Sequence, residues 1–197
     1  MLPIITTPRL ILRPLRRADA EAIFDYAQHE HVGIPAGWVP HQTLKDTHEY
    51  IDGVYAKRKE SQPGPWSIIH QEDNRMIGTV ELHSFKGYKS EIGFVLHPDY
   101  WRQTYMTEAV KAVMIVAFEH FHIVRLSYKH FLDNRASEHL RKKLHFTEEG
   151  IKRKGFRHGD GRVLDEVVSS FTDDDYADYY ESEFKAFKAQ CLIKYGT

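Results

Sequence analysis

The sequence predicts an α/β (α+β) fold in which a mixed central sheet is flanked by helices. Short apolar runs bounded by turn residues predict strands, and longer segments with apolar residues at intervals of three and four predict helices. The two kinds of segment follow one another along the chain, which favours helices that pack on a central sheet. The predicted order is β-α-α-β-β-β-α-β-α-β-β, with an extra C-terminal helix.

The predicted strands are short and lie between turn residues. They span residues 10–15, 66–70, 75–82, 91–96 and 124–128, a segment that begins at Phe146, and residues 162–171. The second and third of these strands form a hairpin around a polar turn. A loop that contains two prolines is predicted at 33–40.

The predicted helices begin at or beside residues suited to N-capping. They start at Asp19, at Thr43, near Tyr105, at Asn134 and at Thr172. The second helix is expected to end at Glu60, before a Pro-Gly-Pro stop. The third carries one apolar stripe, from Met106 to Phe121, which we expect to be buried.

A final helix is predicted from Thr172, because three aspartates in its first turn suit the helix dipole. Its apolar residues form one stripe, made of Tyr176, Tyr180, Phe184, Phe187 and Cys191. Either this stripe packs on the rest of the chain, or it forms an aromatic face for a second subunit. We therefore divide the chain into a domain at 7–171 and a helical extension at 172–197, with a homodimer as one possibility.

Composition limits the function classes. The chain has 197 residues, 42% hydrophobic and 28% charged, as in an ordinary single-domain globular protein. A net charge of −1 gives no reason to expect nucleic acid or an anionic membrane as a partner. The 13 histidines show no metal-ligand spacing, so no metal is expected. One cysteine, no membrane-length apolar run and no signal-peptide pattern predict a cytoplasmic protein.

The strand at 91–96 leads, through a tight turn, into the helix that begins near Tyr105. The first N–H groups of a helix have no internal acceptor, and the helix dipole adds partial positive charge there. Such an end is suited to bind phosphate or pyrophosphate.

Three segments, read together, resemble a known family. They are His-Pro-Asp-Tyr-Trp at 97–101 with Thr-Glu-Ala at 107–109, Asn-Arg-Ala-Ser at 134–137 with Lys-Leu-His-Phe at 143–146, and Thr-Pro-Arg-Leu at 7–10. Their order and spacing resemble the GNAT superfamily of N-acetyltransferases, and most closely the ribosomal-protein N-terminal (alanine/serine) acetyltransferases. The resemblance implies a GNAT-like fold for residues 7–171.

The resemblance implies acetyl transfer from acetyl-CoA to a primary amine, by direct attack within a ternary complex. It implies no metal and no acyl-enzyme, so Cys191 is expected to serve packing. The branch favours a protein N-terminal α-amine, and small-molecule amines stay open. A strongly cationic amine would require an acidic cleft, to which Glu30, Glu49, Asp52, Glu81 and Glu91 could contribute.

The resemblance assigns the cofactor to the end of one strand, the turn after it and one asparagine. These residues are Phe94, Val95, Leu96, Trp101, Arg102, Gln103, Thr104, Tyr105, Met106, Thr107 and Asn134. The strand end would pair its backbone with the pantetheine arm, and the turn would wrap the pyrophosphate. Asn134 would hold the pantetheine or the strand end, with an N-cap as the alternative. Arg141, Lys142 and Lys143 could approach the nucleotide phosphate or form a solvated face.

Two catalytic residues are implied. Glu91 is the preferred general base, acting through water, although it could also be a solvent-facing strand residue. His83 and His97 are rival bases, because imidazole titrates nearest neutral pH. Ser137 matches the family acid near the sulfur of coenzyme A, and its alternative role is to cap or line its helix.

The turn departs from the family at its two glycine positions, which hold Arg102 and Thr104. With ordinary backbone angles, the N–H groups would still point inward and both side chains could add donors to phosphate. Alternatively, the side chains crowd the pyrophosphate. In that case the chain would be a non-catalytic GNAT-like module with impaired CoA binding, acting through protein interaction.

Overall fold

The computed structural model describes residues 2–59 and 62–195. Its strands are β1 (Ile4–Thr6), β2 (Leu10–Pro14), β3 (Gly64–His70), β4 (Arg75–His83), β5 (Lys89–Leu96), β6 (Arg125–Phe131), β7 (Thr147–Arg157), β8 (Val163–Thr172) and β9 (Leu192–Lys194). Its α-helices are α1 (Ala20–Ala27), α2 (Glu30–Ala36), α3 (Leu44–Lys59), α4 (Tyr105–Glu119), α5 (Arg135–Lys143), α6 (Asp173–Tyr179) and α7 (Lys185–Lys188). A π-helical turn, Tyr180–Phe184, joins α6 to α7.

The described strands form one mixed sheet in the order β7-β8-β6-β5-β4-β3-β2-β1-β9. Neighbours are antiparallel, except that β5 and β6 are parallel because α4 crosses between them. This arrangement confirms the predicted mixed sheet flanked by helices, and the β3–β4 hairpin lies where the sequence placed it.

The sheet carries a separate apolar cluster on each face. One cluster joins α1, α2 and α3 to the sheet, around Ile23, Val32 and Ile51. The other surrounds α4, which is buried from Tyr105 to Phe118 except at Thr107 and Lys111. The prediction of a single buried stripe on this helix is therefore too narrow. The C-terminal segment covers the outer face of α4, so the helix is enclosed between that segment and the sheet.

The C-terminal aromatic stripe packs against its own chain. Phe184 is buried in the cluster around α4, and Tyr176 stacks on Phe118 with 5.0 Å between ring centroids. The predicted cap is present, because Thr172 and Asp175 form a reciprocal capping box. After α7 the chain pairs with β1, as Ile4 lies opposite Lys194. The division at residue 171 and a second-subunit contact stay predictions, and residues 196–197 lie outside the described part.

Two further differences from the sequence have physical reasons. The proposed loop at 33–40 is wrong in its first half, because Glu30–Ala36 is a helix that contains Pro35. This proline removes only one intrahelical bond, and Gly37, at φ +93°, ends the helix in the left-handed conformation. The strands β1 and β9 have three residues each, too few to show a period. The predicted end of the second helix at Glu60 lies outside the described residues.

Candidate active site

A gap opens in the middle of the sheet, between β5 and β6. The described residues of these strands pair at three positions, the last of which joins Glu91 to Ser127. Beyond it, β5 stays paired with β4 as far as Leu96, and β6 stays paired with β8 as far as Phe131. The two strands therefore diverge while each is held by its other neighbour. Their facing backbone groups can pair with an inserted extended chain that carries amides.

The turn after β5 presents the N-terminus of α4. Thr104 is the N-cap residue, and its side chain makes no capping bond, so the first N–H groups of the helix have no side-chain acceptor there. Arg102 and Thr104 have φ values of +60° and +63°. The two positions at which the family has glycine therefore adopt the left-handed conformation, and not ordinary angles, although both residues here carry side chains. Those side chains, and that of Gln103, are exposed.

The turn is held at both ends by hydrogen bonds. The indole Nε1 of Trp101 donates to the carbonyl of Leu96 at 2.8 Å, which ties the turn to the end of β5. Arg9 donates to the carbonyl of Gln103 at 2.9 Å and to the hydroxyl of Thr104 at 3.0 Å. The opening Thr-Pro-Arg segment and the turn are therefore parts of one structure, which their separation in sequence conceals.

Tyr105 begins a chain of polar groups that runs from beneath the turn to the exposed Asp73. Its hydroxyl lies 2.9 Å from Nε2 of His70, and Nδ1 of His70 lies 2.9 Å from Asp73. Tyr100 donates to the other oxygen of Asp73 at 2.5 Å. This bond, followed by that from His70, holds the pKa of Asp73 at about 2. Tyr105 therefore packs beneath the helix terminus, and Met106 beside it is also buried.

The helix α5 brings a serine to the wall of the gap. Asn134 caps α5, since its Oδ1 accepts from the N–H of Ser137 at 3.0 Å, while its Nδ2 donates to the carbonyl of Pro35 at 3.2 Å. Oγ of Ser137 lies 2.8 Å from the hydroxyl of Tyr128, which also contacts the Ser137 carbonyl at 2.8 Å. Burial raises the pKa of Tyr128. Sequence reasoning missed Tyr128, because nothing in an alternating strand singles out one tyrosine.

Glu91 lies where the gap begins. Its Oε2 is 2.5 Å from Nζ of Lys129, and its Oε1 is 3.8 Å from Nε2 of His83. His97 is 4% exposed, and its Nδ1 accepts from the backbone N–H of Asp99, so its role is to shape the turn. His83 remains beside Glu91, and the two are opposite each other in the β4–β5 register.

The gap has chemically different walls on its two sides. Phe94 and Tyr128 pack with the cluster around α4, whereas Val95 packs with the cluster around α1 and α3. Because side chains alternate along a strand, Glu91 shares the face of Val95. The Ser137–Tyr128 pair and Glu91 therefore meet the gap from opposite faces of the sheet.

Three of the five acidic residues considered for an acidic cleft form ion pairs. Asp52 pairs with Arg17, Glu49 with Lys45 and Glu91 with Lys129, whereas Glu30 and Glu81 form no ion pair with the residues described. Among the basic residues, Arg141 is buried against the Phe146 carbonyl and Lys142 pairs with Glu138. Only Lys143 of that run lines a cleft of about 250 Å³, together with Thr104, Thr107 and Lys111.

The part of the chain that the structure describes has neither a membrane-length apolar helix nor a cluster of metal-binding side chains. In residues 2–59 and 62–195, no helix is long and apolar enough to cross a membrane. The same residues contain no group of three or more histidine, cysteine, aspartate or glutamate side chains that could hold a metal ion.

Comparison with known proteins places these features in a family. Residues 9–147 match the family model described as an acetyltransferase (GNAT) domain. The chain is 30% identical over 172 residues to the uncharacterized N-acetyltransferase YoaA of Bacillus subtilis. The alignment covers 86% of this chain and 97% of that protein.

Solved structures share the fold. The ribosomal-protein-S5-alanine acetyltransferase of Vibrio fischeri superposes with a TM-score of 0.72 at 19% identity, covering 88% of this chain and 98% of that one. RimL, a ribosomal L7/L12 α-N-protein acetyltransferase in complex with coenzyme A, gives 0.75 at 20% identity, covering 87% and 99%.

Proposed function

This chain belongs to the GNAT family of acetyltransferases, and from that premise we propose that it transfers an acetyl group from acetyl-CoA to a primary amine by direct attack in a ternary complex. The observation that carries the proposal is the gap between β5 and β6, which leads to the uncapped N-terminus of α4. An extended acyl carrier with amides and a pyrophosphate matches both parts. The gap offers strand pairing, and the helix end offers N–H donors to an anion.

The residues assigned to the cofactor divide this binding between them. The backbone of Phe94–Leu96 would pair with the pantetheine arm, and the turn Trp101–Thr107 would surround the pyrophosphate. Asn134 holds the mouth of the gap by capping α5 and fixing the Pro35 carbonyl, so its contribution is to position the wall. Lys143 would attract the nucleotide phosphate from the neighbouring cleft.

The two faces of the sheet suit two reactants that meet in the gap. The hydroxyl of Ser137 would donate a proton to the departing thiolate. The Tyr128 hydroxyl, which contacts Oγ of Ser137, would hold the serine in place. Glu91, on the other face, would accept a proton from the attacking amine through water. An α-amine has a pKa near 8, so a carboxylate acting through water is a strong enough base to assist the loss of its proton. Backbone N–H groups at the end of β5 would stabilise the oxyanion.

The acceptor that we propose is a protein N-terminal α-amine. The fold shared with the ribosomal-protein acetyltransferases supports this choice. A polycationic amine is less well suited, because the described ion pairs neutralise three of the five acidic residues considered. A cytoplasmic location would follow from such an acceptor. The left-handed turn counts against the non-catalytic alternative, since Arg102 and Thr104 take a conformation that favours glycine, the residue the family has at these positions.

Calorimetric titration tests this function. We expect acetyl-CoA to bind with a micromolar dissociation constant, which is in the range of KM values usual for enzyme substrates. Binding should also raise the melting temperature of the protein. Peptides with a free N-terminus should gain one acetyl group by mass spectrometry, and the same peptides blocked at the N-terminus should not. Absence of acetyl-CoA binding at millimolar concentration would refute the proposal.

A further inference from the structure

Arg9 is fixed against the first turn of α4 by a buried carboxylate. Its backbone N–H donates to Oε1 of Glu108 at 2.9 Å, and its Nε donates to Oε2 at 2.6 Å. Thr7 donates to the same carboxylate at 2.6 Å, and Glu108 is only 8% exposed. The guanidinium also lies 4.4 Å from the centre of the Tyr105 ring. These contacts set the plane of the guanidinium and leave its two terminal nitrogens for other partners.

Both terminal nitrogens bind the turn that precedes α4. Nη1 donates to the carbonyl of Gln103 at 2.9 Å, and Nη2 donates to Oγ1 of Thr104 at 3.0 Å. Gln103 lies between the two residues of positive φ, Arg102 and Thr104. The guanidinium therefore binds the backbone of Gln103, which separates the two left-handed residues, and the side chain of Thr104, the second of them.

We propose that Arg9 is the positioning residue that keeps this turn in its anion-binding conformation. The proposal rests on the acetyl-CoA-binding function proposed above. Residues with a Cβ disfavour the left-handed conformation, which glycine adopts without penalty. A turn that lacks glycine at both positions needs an outside restraint, and the fork of Arg9 supplies it. Three of the five guanidinium N–H donors bond Glu108 and the turn, so Arg9 acts by holding the turn in place.

Three variants test the restraint: Arg9→Gln, Arg9→Lys and, as a charge-matched control, Arg17→Gln. Arg17 is exposed and pairs with Asp52 outside the turn. Loss of charge-assisted bonds should weaken acetyl-CoA binding about tenfold or more in Arg9→Gln, and the control should bind as wild type does. Lysine keeps the charge but cannot fork, so Arg9→Lys should also bind weakly. Amide hydrogen exchange at residues 102–106, without ligand, should accelerate in both Arg9 variants.

Glycine at positions 102 and 104 tests whether Arg9 acts by restraining the turn. Adding Arg102→Gly and Thr104→Gly to Arg9→Gln should recover most of the lost affinity, because the turn then needs no restraint. Equal losses with and without the glycines would overturn the proposal, as would full affinity in Arg9→Lys. S-acetylpantetheine, which lacks the pyrophosphate, should show the same KM in wild type and Arg9→Gln.

The outcomes separate this inference from the function on which it rests. If wild type binds acetyl-CoA and Arg9→Gln binds it equally well, only the role of Arg9 is wrong. If wild type does not bind, the proposed function fails, and unchanged hydrogen exchange in Arg9→Gln would remove the restraint as well. Circular dichroism of each variant checks that it is folded. If Arg9→Gln does not fold, Arg9→Lys takes its place in the test, because lysine keeps a cation beside Glu108.

Discussion

Replacement of Ser137 by alanine should separate turnover from binding. The Tyr128 hydroxyl contacts the Ser137 carbonyl at 2.8 Å, and its one proton can serve that bond. Oγ of Ser137 lies 2.8 Å from the Tyr128 hydroxyl oxygen, and the Ser137 hydroxyl proton is then the one available to a leaving thiolate. General-acid groups contribute about 10²- to 10⁴-fold, so Ser137→Ala should lower kcat by about 100-fold or more. Acetyl-CoA affinity should stay nearly unchanged.

The Tyr128→Phe variant measures the other half of the pair. Its expected cost is about 1–3 kcal/mol of unfolding free energy, because a buried carbonyl loses its donor. For a protein of this length that is a fall in melting temperature of about 2–12 °C. Since the two hydroxyls act as a unit, the double variant should have the kcat of Ser137→Ala alone.

The assay combines steady-state kinetics on an N-terminal peptide, calorimetry with acetyl-CoA and thermal melts. Ser182→Ala is the matched control, because that serine is exposed in the C-terminal segment. A wild-type kcat in Ser137→Ala would refute the reasoning. So would a fall in kcat that is fully accounted for by weaker acetyl-CoA binding.

Three further perturbations follow from the contacts of single carboxylates. Glu91→Gln should lower kcat/KM most below about pH 8, where an α-amine is mainly protonated, and the deficit should shrink at higher pH in a pH–rate profile. A deficit independent of pH would argue against a base. Glu108→Ala removes three hydrogen bonds from a buried carboxylate and should cost about 2–4 kcal/mol in urea unfolding; Glu138→Ala, which removes surface ion pairs with Arg135 and Lys142, should cost much less. The pKa of Asp73 is lowered from 3.8 to about 2, mainly by the Tyr100 hydroxyl, so its contribution is present above about pH 4 and is lost as the pH falls through 2. The stability gap between wild type and Asp73→Asn should narrow over that interval, and a gap at pH 2 as large as that at about pH 4 would contradict the assignment.

Much of the fold follows from local pattern. Leu10–Pro14 alternates between buried and half-buried positions, and the β3–β4 hairpin is marked by its polar turn, so both can be found from a few residues. The strands β1 and β9 cannot be found that way, since each has three residues, too few to show a period, and β9 pairs with β1 almost the whole chain away. The helix α2 contradicts local preference, because Gly37 and contacts with the sheet outweigh the proline.

The site divides in the same way. Motif spacing brings Ser137, Glu91 and the turn into view, because their identities are local to each segment. The contacts of Arg9 and Tyr128 are not local. Arg9 meets Glu108 across 99 positions, and only the folded backbone shows that the opening segment and the α4 motif form one cluster. The same holds for Lys129, whose ion pair with Glu91 joins two strands at the point where they separate.

The left-handed turn also bears on whether the chain is an enzyme or a module that has lost its ligand. A left-handed residue with a side chain costs about 1–2 kcal/mol, so Arg102 and Thr104 together oppose folding by about 2–4 kcal/mol. Relaxed angles would remove this cost if the turn had no further task. Instead, the strain is held in place by Arg9 and Trp101, at the helix end that follows β5. Strain that neighbouring contacts maintain at a potential anion site is a reason to infer function. It therefore favours a turn that still binds pyrophosphate.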